Sequence, residues 1–305
     1  MNFSGFFFLT LDLVINTMYN GFVDNKLLED TMKIVADSSS NVYIMEGIDY
    51  ACVPLKVNIG DTEYVDTPDA DLNKMVSELK TTQEKTSTSC PNIYDWQESF
   101  AGSDEIFAVT ITSGLSGSYS SCENAKKLYE EANKDTKIHV IDSLSAGPEL
   151  RLIIEKLTEL AESKLTFEEI VEKIEEYKKT TRLFFCLESL TNFARNGRVS
   201  PAIAHLVGFL GMRIVGTASE VGTLEPLSKP RGEKKALTNI YEHIKSAGFS
   251  GGKVRIAHCE NEAFAEALKE QILADFPTAD IKIEPCGVLC SYYAEIGGLL
   301  VAIES

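Results

Sequence analysis

The residues in this chain best suited to chemistry are small and hydroxylic. The stretch Ile106-Phe107-Ala108-Val109-Thr110-Ile111-Thr112-Ser113-Gly114-Leu115-Ser116-Gly117-Ser118-Tyr119 reads as a buried strand, a small-residue turn, and a helix opening near Ser116. A helix N-terminus exposes unpaired backbone N–H groups and carries a partial positive charge. Gly114 and Gly117 would let a ligand approach the backbone, while Ser113 and Ser116 add hydroxyl donors. Such a joint can hold a carboxylate or a phosphate. It can equally be a serine cap with turn glycines and no ligand. Spacing alone leaves both readings open.

Two further clusters have the right residue types. Thr86-Ser87-Thr88-Ser89-Cys90-Pro91 places hydroxyls in a loop before Trp96, a pattern that also suits a solvated turn. In Asn196-Gly197-Arg198-Val199-Ser200, Arg198 beside a glycine can clamp an anion, pair with a partner protein, or form a surface salt bridge. A nucleophilic serine is the competing chemistry. However, Ser113-Gly114-Leu115-Ser116-Gly117 is not the G-x-S-x-G elbow, and none of His139, His205, His243 and His258 has an acid that sequence can place beside it. No P-loop and no G-x-G-x-x-G is present. Of the 7 cysteines only Cys286 and Cys290 are close together, without a second pair or a well-placed histidine, so buried thiols are favoured over a metal site.

The elements that must position these groups follow from length and patterning. A chain of 305 residues corresponds to two domains, and 44% hydrophobic with 25% charged residues is enough for packed cores. The net charge of −17 disfavours nucleic acid and anionic lipid surfaces, both of which select basic faces. An odd, scattered set of cysteines suits reduced thiols in a cytoplasm better than a disulfide framework. Phe6 to Ile15 is apolar, but Asp12 interrupts it and no Lys or Arg precedes Lys26, unlike a signal peptide. It is also too short for a membrane span. Residues 1–31 are therefore expected to be an extra segment outside the fold, with Met32 as the functional beginning.

Short β-branched runs at Met32–Ala36, Ile106–Thr112, Lys137–Ile141, Leu183–Leu187, Val254–His258 and Ile281–Ile283 read as buried strands. Between them, Leu150, Ile153, Ile154, Leu157, Leu160 and Ala161 mark one face of a helix. Thr166 followed by Glu169 is a capping-box pattern opening a second helix, and Ala263 to Phe276 is a third. Strand–helix alternation predicts an α/β protein with parallel sheets. The boundary falls near Lys179, giving a parallel-sheet N-terminal α/β domain over residues 32–179 and a second, sheet-plus-helices α/β domain over 180–305, with a cleft between them for a ligand.

In combination and order these segments resemble the DegV family of bacterial fatty-acid-binding proteins. The resemblance runs from Met32-Lys33-Ile34-Val35-Ala36-Asp37-Ser38-Ser39 through Val53-Pro54-Leu55-Lys56-Val57, Lys85-Thr86-Ser87 and Ser113-Gly114-Leu115-Ser116-Gly117-Ser118-Tyr119. Ile141-Asp142-Ser143, Gly197-Arg198-Val199-Ser200 and Arg231-Gly232-Glu233-Lys234-Lys235-Ala236-Leu237 then follow in the family's order. It implies two α/β domains enclosing a long-chain fatty acid, which is a ligand rather than a cofactor. The carboxylate would be gripped at Thr86, Ser87, Ser113, Gly114, Ser116 and Gly117, with Gly197 and Arg198 shaping the head-group end or docking a partner. It further implies that the protein is a non-catalytic carrier presenting the acid to an ATP-dependent fatty acid kinase. Storage or transport without a kinase is the alternative, and a serine hydrolase a weaker one. Two departures stand out. Tyr293 falls where the family has a C-terminal histidine, so it is expected at the carboxylate or, failing that, as a core aromatic, and Met212-Arg213-Ile214-Val215 replaces a Lys-Pro segment.

Overall fold

A computed structural model describes residues 32–200 and 211–305 of the chain. The expectations for residues 1–31, and for His205, lie outside the described residues. The N-terminal half is built from β1 (Met32–Asp37), β2 (Asp49–Val53), β3 (Lys56–Ile59), β4 (Thr62–Val65), α1 (Leu72–Thr81), β5 (Thr86–Ser89), α2 (Ile93–Phe100), β6 (Glu105–Thr110), α3 (Ser118–Ala132) and β7 (Lys137–Asp142). After α4 (Pro148–Ala161) and α5 (Phe167–Tyr177) come β8 (Thr181–Leu187), α6 (Thr191–Arg195), β9 (Ile214–Ala218) and β10 (Leu224–Ser228). The chain closes with α7 (Glu233–Ser246), β11 (Lys253–His258), α8 (Glu262–Asp275), β12 (Asp280–Pro285), α9 (Val288–Ala294) and β13 (Leu299–Glu304).

The first sheet is parallel, in the order β2-β1-β6-β7. Its strands are continuous apolar runs because both faces are covered. Ile34, Ala36, Phe107 and Val109 pack on α4 and α5, whereas Val35, Ile106, Ala108 and Val140 pack on Trp96, Phe100, Cys122 and Ala125 of α2 and α3. The predicted capping box opens α5. The Thr166 hydroxyl accepts from the Glu169 N–H at 3.3 Å, and the Glu169 carboxylate accepts from the Thr166 N–H at 2.8 Å. A small antiparallel sheet, β4-β3-β5, lies beside this core. The Thr86–Ser89 stretch is thus a strand, not the loop expected from its composition. Polar residues hid an alternation that β3 completes through hydrogen bonds.

The second sheet, covered by helices, is the sheet-plus-helices half of the expected fold, and it is mixed rather than parallel. Its order is β10-β9-β8-β13-β11-β12, and only β11 and β12 run parallel. The last strand, β13, inserts between β8 and β11 antiparallel to both, and β9–β10 is a hairpin. Strand–helix alternation could not reveal an insertion from the end of the chain. One face of this sheet packs on α7 and α8 through Val254, Ile256, Ile240, Ile244, Leu268 and Ile272.

The other face meets α4, which contacts β1 and β6 of the first sheet and β8, β11 and β13 of the second. Its charged residues lock the two sheets together. Glu155 receives the guanidinium of Arg255, which is 2% exposed, through Nε at 3.0 Å and Nη2 at 2.7 Å. Glu149, also buried, accepts from the Ser145 hydroxyl and, at 2.7 Å, from the Thr181 hydroxyl at the start of β8. Arg151 pairs with Glu284, and Lys253 with Glu159.

Candidate functional site

Between the two sheets the described residues enclose a cavity of about 300 Å³. That lies at the lower end of ordinary small-molecule sites. One wall is β8, whose alternate residues Leu183, Phe185 and Leu187 face inward. Leu300 and Leu224 flank them, and Leu55, Ile111, Leu289 and Ala294 complete an apolar lining from the other side.

One group of polar residues gathers around Phe193 and Tyr293, while Thr217, whose hydroxyl donates to the Leu183 carbonyl at 2.7 Å, adds polar lining at the other end of β8. Phe193 of α6 packs in one cluster with Leu187, and its ring centroid is 4.7 Å from that of Tyr293 on α9. The Tyr293 and Thr88 hydroxyls share a hydrogen bond of 2.8 Å, and burial pushes the phenol pKa up, so it stays a neutral donor. Arg198 reaches the first group. Its backbone N–H donates to the Phe193 carbonyl at 2.8 Å, and its Nε donates to the Leu115 carbonyl at 3.1 Å. Beside Leu115, Ser116 and Gly117 also line the chamber. The Ser116 hydroxyl accepts from the Ser118 N–H at 3.2 Å, which leaves its own proton for an acceptor. Helix α3 starts at Ser118, two residues later than expected.

Two buried carboxylates hold this group in place. Asp37, at the end of β1, accepts from the Ile111 N–H at 2.8 Å and the Ser118 hydroxyl at 2.7 Å, fixing both ends of the loop that carries Ser116. Burial raises its pKa to about 6 against the lowering effect of those donors. Asp66 accepts from Ser38 at 2.9 Å, from Tyr43 at 2.7 Å, and from the Val288 and Leu289 N–H groups at 2.8 and 3.3 Å. It therefore caps α9, the helix that presents Tyr293, from 222 residues away in sequence.

Of the residues expected at the site, Ser116, Gly117, Arg198 and Tyr293 line the chamber together. Thr86 and Ser87 do not. The Thr86 hydroxyl is spent on Tyr292 at 2.6 Å, and Ser87 stands opposite Asn58 in the small sheet. Their place in the wall is taken by Thr88 and Ser89. Thr86 and Thr88 share a face of β5, so it is position along the strand, which a loop reading lacks, that separates these pairs. Ser113 and Gly114 also lie outside the lining and are exposed. A Cβ on Gly114 would come within 2.5 Å of the Val221 carbonyl, so this glycine seats the tip of the β9–β10 hairpin. Gly197, at φ +70°, turns the chain out of α6 and is exposed, while Arg198 faces inward.

Among the described residues no histidine lines the chamber. His139 pairs with Glu175 at 3.2 Å, and the His258 ring accepts from the Asn261 N–H at 3.3 Å. Ser116 thus has no imidazole base among them. Cys286 and Cys290 are buried free thiols packed on Ala257. No helix among the described residues is long and apolar enough to cross a membrane.

A mainly apolar chamber with hydroxyls and an arginine in its lining thus lies between the two sheets. The chain belongs to the DegV family, whose model, described as an uncharacterised protein family, matches residues 31–305. A DegV domain-containing protein of Streptococcus pneumoniae is 44% identical over 278 residues, covering 90% of this chain and 99% of its own. The crystal structure of the Streptococcus pneumoniae fatty acid kinase (Fak) B3 protein loaded with linoleic acid is similar at a TM-score of 0.88 and 44% identity, over 90% of this chain and 99% of that one. A DegV family protein from Eubacterium eligens loaded with heptadecanoic acid matches at a TM-score of 0.88 and 41% identity, over 90% and 100% of the two chains.

Proposed function

We propose that this protein binds one long-chain fatty acid, its tail against the apolar wall of β8 and its carboxylate among the hydroxyls that line the chamber. The observation that carries the reading is a mainly apolar chamber between the two sheets that also presents the Thr88, Ser89, Ser116 and Tyr293 hydroxyls and Arg198. Each buried methylene contributes ~0.8 kcal/mol, so the tail supplies most of the affinity. An unpaired buried carboxylate would be costly, and the polar lining offsets that cost. Thr88, Ser89, Ser116, Gly117 and Tyr293 hold the head group, with Arg198 beside them. Thr88 and Ser89 replace Thr86 and Ser87 in this assignment, and Ser113, Gly114 and Gly197 support the walls. The lobes divide at 179/180.

The acid is presented to a partner fatty acid kinase that supplies ATP and the phosphoryl transfer, and this chain acts as the carrier. The name of the Streptococcus pneumoniae relative supports that role. The free thiols of all 7 cysteines fit a cytoplasmic setting.

Protein purified under native conditions, extracted with organic solvent and analysed by mass spectrometry should yield one fatty acid per chain. Empty protein that also fails to bind on titration would overturn the reading. Incubation of the loaded protein with a cognate kinase and ATP should give acyl phosphate; intact acid would leave a storage or transport role instead.

A further inference from the structure

The middle of the chamber is shaped by an unusual pair. In the antiparallel ladder between β8 and β9, Phe185 stands directly opposite Gly216. Directly opposed residues on neighbouring strands share a face. A Cβ built on Gly216 would lie 2.3 Å from Cζ and 2.6 Å from Cε2 of the Phe185 ring. The ring therefore lies across the glycine, in the recess left by the missing side chain. Glycine inside a strand marks such a close approach. The same Cβ would also meet the Glu225 carbonyl at 2.5 Å, so β10 closes the recess from the far side and the ring cannot slide outward.

Phe185 is the bulkiest of the three β8 residues facing the chamber, and it sits one two-residue step from both Leu183 and Leu187. It is 4% exposed. The ring therefore takes up chamber width between the two leucines. Its position is fixed by the glycine behind it rather than by a rotamer free to adapt.

We propose that the Phe185–Gly216 pair is the selectivity element of the chamber, setting how much acyl volume passes its waist. The proposal rests on the fatty-acid reading above and adds which acids are chosen. With the ring parked over Gly216, a slender chain passes; a side chain at 216 meets both the ring and the Glu225 carbonyl, so it must push the ring inward, shift β10, or both. Removing the ring opens lateral space for extra carbons or for the kink of a cis double bond.

The test is competitive loading. Wild type, Phe185→Leu, Phe185→Ala and Gly216→Ala are delipidated, offered an equimolar series of saturated and cis-unsaturated acids, and profiled by mass spectrometry, with folding checked by thermal melting. In the Phe185 variants, acids two carbons longer than the wild type's preferred one, or its cis-unsaturated equivalents, should gain on the order of tenfold, the effect of two more buried methylenes. Gly216→Ala should shift the profile towards shorter acids. Phe185→Leu keeps an apolar strand residue and carries the test if Phe185→Ala does not fold. A loaded wild type whose profile is unchanged in the folded Phe185 variants overturns the selectivity assignment alone. A wild type that takes up no acid overturns the fatty-acid reading, and the assignment falls with it.

Discussion

The hydroxyl of Thr88 lies 2.8 Å from the phenol of Tyr293, a residue 205 positions away in sequence. The two come from different parts of the chain, one from a small antiparallel sheet and the other from a helix capped by Asp66. Their pairing orients both hydroxyls in the lining of the chamber before a ligand enters, so less entropy is lost on binding.

Thr88→Val and Tyr293→Phe should each weaken fatty-acid binding by roughly 10- to 100-fold, the usual loss for a hydrogen bond to a charged group. The double variant should lose less than the sum, because the two hydroxyls act as a unit. Equilibrium titration with a fluorescent fatty acid measures all three. Strict additivity would mean that the pair does not act together on the ligand.

Ser116→Ala and Ser113→Ala separate the two serines of one turn. Ser116 lines the chamber and Ser113 is exposed. Binding should fall on the order of tenfold or more for Ser116→Ala and stay within about twofold for Ser113→Ala, with melting temperatures close to wild type for both. Equal effects in the titration would remove Ser116 from the head-group site.

Asp37 makes stability depend on pH in an unusual direction. Its pKa rises from the ordinary 3.8 to about 6 on folding, chiefly through burial. Between those values the folded protein holds a proton that the unfolded chain has released, so stability falls as pH rises through that window. Below it both states are protonated, and above it the full cost of the buried charge is present, ~3 kcal/mol for a shift of this size. Asp37→Asn removes the titration. Urea unfolding at pH 4, 5, 6 and 7 should therefore show wild type losing stability relative to the variant up to about pH 6. A constant difference would contradict the raised pKa.

Arg255 joins Glu155 of α4 to Asp280 of β12, with Nη2 2.7 Å from each carboxylate. Removing one partner of a buried ion pair leaves the other charge uncompensated, so Arg255→Ala should cost ~3–5 kcal/mol. The denaturant midpoint should fall accordingly. A loss below about 1 kcal/mol would show that water replaces the guanidinium between the lobes.

Local patterning in the sequence determined the parts that depend on neighbouring residues. The apolar runs of β1, β6 and β7 and the Leu150–Leu160 stripe of α4 are burial patterns written at periods of 2 and 3.6. The Thr166–Glu169 box needs only a three-residue separation. Ser116 was legible because a strand–turn–helix joint is itself local. Tertiary structure alone decided the rest. Thr86 and Thr88 have the same chemistry, and only pairing with β3 and the approach of α9 direct one to Tyr292 and the other to Tyr293 and the chamber. β13 takes its place between β8 and β11 because its partners lie over 40 and over 100 residues back, beyond any local signal. The opposition of Phe185 and Gly216 arises from strand register, which is set when distant segments choose their neighbours and not when each acquires its own conformation.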